Sequence, residues 1–306
     1  MKTILKQFVF CTIFLVIFCF DFSFAQPLYD QVHDQAYDQG HDQVYDQAHD
    51  QDFHCITQFE HGTINWTTGK IQAIGKASVE NNIRTSQKSV PDSARADANH
   101  HIINILKHMI ISNSFSVGEY AAKNDVILAG IEKNASDAVI ARQYYTSALS
   151  LEILIETSMY GGFLQLVLPE KIRQITQISF EDNVHNNNII EANPYTGLII
   201  DAGKLEIEPV LNPVIISEQG HDIYSSTFIS REFAVQNGVC KYYCDMEQAM
   251  KNSRIGVNPL VLKGLRNDGT KNTIIISMSD YRIVEKITER HKFLKECRVI
   301  IVLNRL

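Results

Sequence analysis

Pro194-Tyr195-Thr196-Gly197-Leu198-Ile199-Ile200-Asp201-Ala202, resuming as Leu211-Asn212-Pro213-Val214-Ile215-Ile216 and closing at Gly220, is the stretch on which the fold turns. Two short apolar runs bounded by Pro and Gly read as buried strands joined by a connection. Toward the C-terminus, residues 223–229, 260–262 and 273–277 read as further strands and 246–252 as a short helix. Residues 279–294 read as a helix, with Ile283, Ile287 and His291 at four-residue steps. Residues 297–303 are almost continuously apolar, which predicts a strand buried on both faces and a C-terminus built into the sheet.

Toward the N-terminus, residues 182–193 are polar and hold Asn186-Asn187-Asn188, so the boundary between two units is placed there. Residues 138–145, 149–156 and 162–168 read as successive strands, 169–177 as a short helix and 118–133 as a longer one. Pro91-Asp92-Ser93 starts a helix capped by Asp92 or Ser93, with Ala94, Ala98, Ile102, Ile105 and Met109 on one face. Residues 63–66 and 70–75 form a hairpin with Gly69 at its turn, and Trp66 is a core anchor. The expectation is an α+β fold: two α/β sandwich-like units with mixed sheets, residues 55–192 and 193–306, after a signal peptide (1–25) and a disordered acidic repeat (26–54).

Lys2 and Lys6, the apolar run 8–20 and Ser23-Phe24-Ala25 have the layout of a secretory signal, cleaved after Ala25. The run's 13 residues reach about 20 Å, short of a hydrocarbon core of about 30 Å. Phe18 occupies the position where a lipid-anchored Cys19 would need a small neighbour. A periplasmic or secreted protein with no membrane span and no lipid anchor is therefore expected. The net charge is −7, and residues 26–54 carry seven aspartates and no Lys or Arg. The acidity thus belongs to the repeat, and the body lacks the basic surface that nucleic-acid binding needs. Four cysteines survive cleavage: Cys55, Cys240, Cys244 and Cys297. Their number permits disulfides, no ligand spacing suggests zinc, and the pairing stays open.

The repeat Tyr29-Asp30-Gln31-Val32-His33-Asp34-Gln35-Ala36 recurs with His41 and His49 in the histidine position. Its dense like charge and few aliphatic residues cannot build a core. Its histidines beside aspartates raise the alternative of a secreted metal-binding protein. His100, His101 and His108 read as surface histidines on the helix that follows Pro91.

Several pieces together resemble one family. They are Trp66-Thr67-Thr68-Gly69-Lys70-Ile71-Gln72-Ala73-Ile74-Gly75, Ser93-Ala94-Arg95-Ala96-Asp97-Ala98, residues 166–169, the segment from Tyr195 to Ala202, and residues 293–303. The chain is similar in these to bacterial envelope proteins of the lipoprotein-twenty-like group, whose N-terminal part resembles that of the flagellar assembly protein FlgT. The resemblance implies a non-enzymatic envelope protein, linked to a flagellum or other surface structure, with other envelope proteins as partners. It transfers no catalytic residues.

An enzyme would need convergent reactive groups. Cys240 or Cys244 with His221 or His291 is the one pairing that could imitate a Cys–His site. Nucleophile-elbow, phosphate-loop and His-Glu-x-x-His motifs are absent from the chain. Asp201 follows a buried strand and reads as a turn cap. The expected site is accordingly non-catalytic, with no cofactor.

Overall fold

A computed structural model describes residues 53–78, 89–112, 115–146, 150–169, 194–225, 229–270, 272–288 and 292–304. The signal segment, the repeat up to Asp52, the 169–177 helix beyond Pro169, the 182–193 linker and His291 lie outside them. The described residues belong to one compact unit, Asp50–Leu306, and the fold is α+β.

In the N-terminal half, β1 (Ile56–Phe59), β2 (Gly62–Asn65), β3 (Lys70–Ser78), β6 (Val139–Tyr145) and β7 (Ser150–Ser158) form one antiparallel sheet, ordered β1-β2-β3-β7-β6. Alternation decides its faces. Ile71 and Ala73 on β3, with Leu151, Ile153 and Ile155 on β7, are buried on one side. Helix α1 (Val90–His108) covers them with Ala94, Ala98, Ile102, Ile105 and Leu106. On the other side Lys70 pairs with Glu156 at 2.9 Å and Lys76 with Glu152 at 2.7 Å. Gly75 permits the close approach of α1: a Cβ there would lie 2.2 Å from the Ala94 carbonyl and 2.3 Å from the Ala98 nitrogen.

Strand β1 escapes the sequence reading. The cap of α1 is Ser89, whose hydroxyl accepts the Asp92 N–H at 3.3 Å. Pro91 and Asp92 instead fill the first turn, where a missing N–H costs nothing and a carboxylate is favoured. The short ribbon β4 (Ile110–Ser112) and β5 (Phe115–Ser116) follows. The helix expected over 118–133 is two: α2 (Val117–Ala121), opened by a capping box of Ser116 and Glu119, and α3 (Asp125–Ser136). Asn124 breaks them, because its carboxamide oxygen accepts the Val126 and Ile127 N–H groups. The strand expected over 162–168 is helix α4 (Gly162–Val167). Phe163, Leu164 and Val167 are buried at helical spacing while Gln165 is exposed. A short apolar run cannot separate the two periods.

In the C-terminal half, β8 (Gly197–Asp201) lies in a parallel sheet with β11 (Lys241–Tyr243), β12 (Pro259–Lys263) and β14 (Val299–Val302), ordered β11-β14-β8-β12. Every residue of β14 is buried, as are the first four of β8. One face, with Leu198, Ile200, Val299 and Ile301, joins the main core. The other, with Ile199, Ile300 and Val302, packs on Ala249 of α6 (Met246–Lys251) and Ile255 of a 3-10 turn. The C-terminal strand is thus central in its sheet, as expected. A smaller mixed sheet pairs β9 (Val214–Ser217) antiparallel with β10 (Asp222–Tyr224) and parallel with β13 (Thr273–Ile276). The Leu265 N–H donates to the Ile275 carbonyl at 2.8 Å, linking the two sheets. The strand expected over 223–229 stops at Tyr224. Helices α5 (Arg231–Asn237) and α7 (Met278–Thr288) complete the half; α7 gives way to turns by Phe293, short of Leu294.

Candidate functional site

The cysteines separate into two kinds. Cys55, just before β1, is disulfide-bonded to Cys244, just after β11, across 189 residues with Cα atoms 5.4 Å apart. Hydrogen bonds and ring contacts surround it. Cys244 N–H donates to the Phe53 carbonyl at 3.0 Å, and His54 bridges Tyr243 in antiparallel fashion. Thr67, at the hairpin turn, accepts the Cys55 N–H at 3.0 Å and donates to the Tyr242 carbonyl at 2.7 Å. Trp66 is buried, donates through Nε1 to Thr57 at 2.9 Å, and meets Tyr242 edge to face. The sequence neighbours Cys240 and Cys244 are not paired.

Cys240 and Cys297 are free and buried. Burial pushes their thiols up to about 12 and about 11, so neither is a thiolate near neutrality. Cys297 also holds a left-handed backbone, φ 56°, and its carbonyl accepts Arg254 Nε at 2.6 Å. His221 sits at the turn before β10 and stacks on Tyr281. Of the two thiols weighed as its partner, Cys244 is bonded to Cys55 and Cys240 is buried. Asp201 accepts the Gly203 N–H at 3.1 Å, the capping role expected of it.

His100 and His108 are surface side chains. His101 is not: Nδ1 lies 2.7 Å from the Ile74 carbonyl, and its ring stacks on His61 at 4.2 Å. Among the described residues no three His, Cys, Asp or Glu side chains are grouped for a metal, and none of the described helices is long and apolar enough to cross a membrane.

The surface feature that stands apart is β6. It is an edge strand, and among the described residues its outward backbone groups have no strand partner. Its side chains are exposed on both faces: Val139 by 64%, Ile140 by 48%, Tyr144 by 49% and Tyr145 by 66%. A bulge between Ile140 and Arg142 breaks the alternation. At the opposite edge, β1 borders a groove of about 420 Å³ floored by Ile64 and Trp66 and flanked by Met109 and Pro209. The sequence predicts a strand over 138–145 but not its place at an edge, because Val139-Ile140-Ala141 and Tyr144-Tyr145 look the same whether buried or open; β1 has no such signal.

Fold and surface together define an α+β body with an open apolar edge strand and a disulfide across its two halves. Residues 197–305 match the family model described as the second domain of Treponema pallidum Tp0624, from the first residue of β8 to just beyond β14. No curated protein matches the chain.

Proposed function

We propose that this is an exported, non-enzymatic envelope protein, periplasmic or secreted, serving as a scaffold or assembly factor. The carrying observation is the β6 edge. A partner's strand added there would complete the backbone ladder and bury Val139, Ile140 and Tyr145. The partner is another envelope protein. The disulfide supports an oxidising compartment, and the inert thiols argue against the Cys–His enzyme. The resemblance to the lipoprotein-twenty-like group and FlgT makes flagellar and other surface assemblies the first to examine.

Cell fractionation with N-terminal sequencing should find a mature chain beginning at Gln26 in the periplasm or medium. Affinity capture from envelope fractions should recover a partner that Ile140→Lys combined with Tyr145→Asp abolishes. A cytoplasmic chain with an intact N-terminus, or capture indifferent to the double variant, would overturn the reading.

A further inference from the structure

Between α5, the start of β11 and the turn after α6 lies a recess of about 370 Å³, within the usual range of small-ligand sites. Lys241, Arg254, Arg298 and Glu296 line it, three cations against one carboxylate. Glu296 is already engaged, 2.8 Å from Arg298 Nε. Among the described residues Arg254 pairs with no carboxylate. It donates to the carbonyls of Cys297 at 2.6 Å, Asn237 at 2.5 Å, Gly238 at 2.6 Å and Val239 at 3.3 Å. A guanidinium has five N–H groups, so one, on Nη1, remains. The Lys241 ammonium is partly buried and, among the described residues, has neither hydrogen bond nor ion pair. Burial, and then the charge of Arg254, lower its pKa. A half-buried, unpaired cation is costly, and an anion beside it would offset that cost.

We infer that the recess binds an organic carboxylate between the Lys241 ammonium and the remaining Nη1 hydrogen of Arg254, with Phe233 against its apolar body. Glu296 in the lining disfavours a second negative charge, which favours a monoanionic carboxylate over phosphate. The carboxylate is that of a free small acid or of a peptide C-terminus. This site is independent of strand addition at β6.

Titration calorimetry on the full chain would compare N-acetylphenylalanine, the tripeptide Ala-Ala-Phe, the amide of that tripeptide, and inorganic phosphate. Binding by either acid supports the site. Tighter binding of the tripeptide assigns it to a peptide terminus, and equal or tighter binding of the N-acetyl amino acid assigns it to free acids. Lys241→Met should weaken the acid about tenfold or more, as loss of a charged hydrogen-bond donor does. Ser253→Asp, an exposed lining position that would place a carboxylate in the recess, should abolish binding in a protein that still folds. Absence of acid binding below about 10 mM would overturn the proposal. So would amide or phosphate binding as tightly as the acids, or wild-type affinity in Ser253→Asp.

Discussion

Thr67 carries more of the junction than its size suggests. Its hydroxyl bridges the Cys55 N–H and the Tyr242 carbonyl inside the core. Thr67→Val keeps the shape but leaves both groups unmade, so stability should fall by about 1–3 kcal/mol in urea denaturation; Thr67→Ser should restore most of it. The free thiols give a second residue-level outcome. Cys240 and Cys297 should resist iodoacetamide in the native protein at pH 8 and both react once it is unfolded; native labelling would mean the core is open there. Glu152 gives a third. Hydrogen bonds from Lys76 and Tyr144 hold it below the ordinary 4.5. A carboxyl with a depressed folded value contributes stability above its ordinary pKa and loses it as pH falls through the lower one. Denaturation midpoints of Glu152→Gln should therefore fall less steeply than wild type below about pH 4.5.

Among the elements, the tightest contact is α1 on β3. Gly75→Ala would drive a methyl into the Ala94 and Ala98 backbone and should cost about 1–3 kcal/mol. Gly162→Ala, whose Cβ meets nothing within 4 Å, should be neutral or stabilising by up to about 1 kcal/mol. Long or strongly patterned elements were legible before any coordinates: the α1 face, the hairpin around Gly69, and the apolar strands β8, β9, β12, β13 and β14. Short elements were not. Residues 162–168 are apolar at nearly every position, so periodicity could not separate strand from helix, and Asn124 caps within what reads as one helix. β1, Ile-Thr-Gln-Phe, is too brief and too polar to stand out. The recess around Lys241 was invisible because Lys241, Arg254 and Arg298 converge only through the fold of β11, the 3-10 turn and the chain before β14.

At the scale of the whole molecule, the disulfide, the Thr67 bridge, the His54–Tyr243 pairing and the Trp66–Tyr242 contact join the antiparallel and parallel halves. Four surviving cysteines signalled that a bridge was possible, but pairing across 189 residues is a property of the folded chain and cannot be read from spacing. Closing so long a loop constrains the unfolded chain by about 2–5 kcal/mol. The double variant Cys55→Ala, Cys244→Ala should lose stability in that range and show faster amide exchange near Phe53 and Cys244; an unchanged melting temperature would separate the bridge from the fold's stability. The halves form one compact unit, and among the described residues β6 is an apolar strand edge left open. The most direct test of function is photo-crosslinking in intact cells, with benzoylphenylalanine placed at Tyr145 on that edge or at Val257, which is 97% exposed elsewhere. The account predicts a discrete envelope-protein adduct at position 145 that is absent at 257 and lost with Ile140→Lys. No adduct at 145, or the same adducts at both positions, would contradict it.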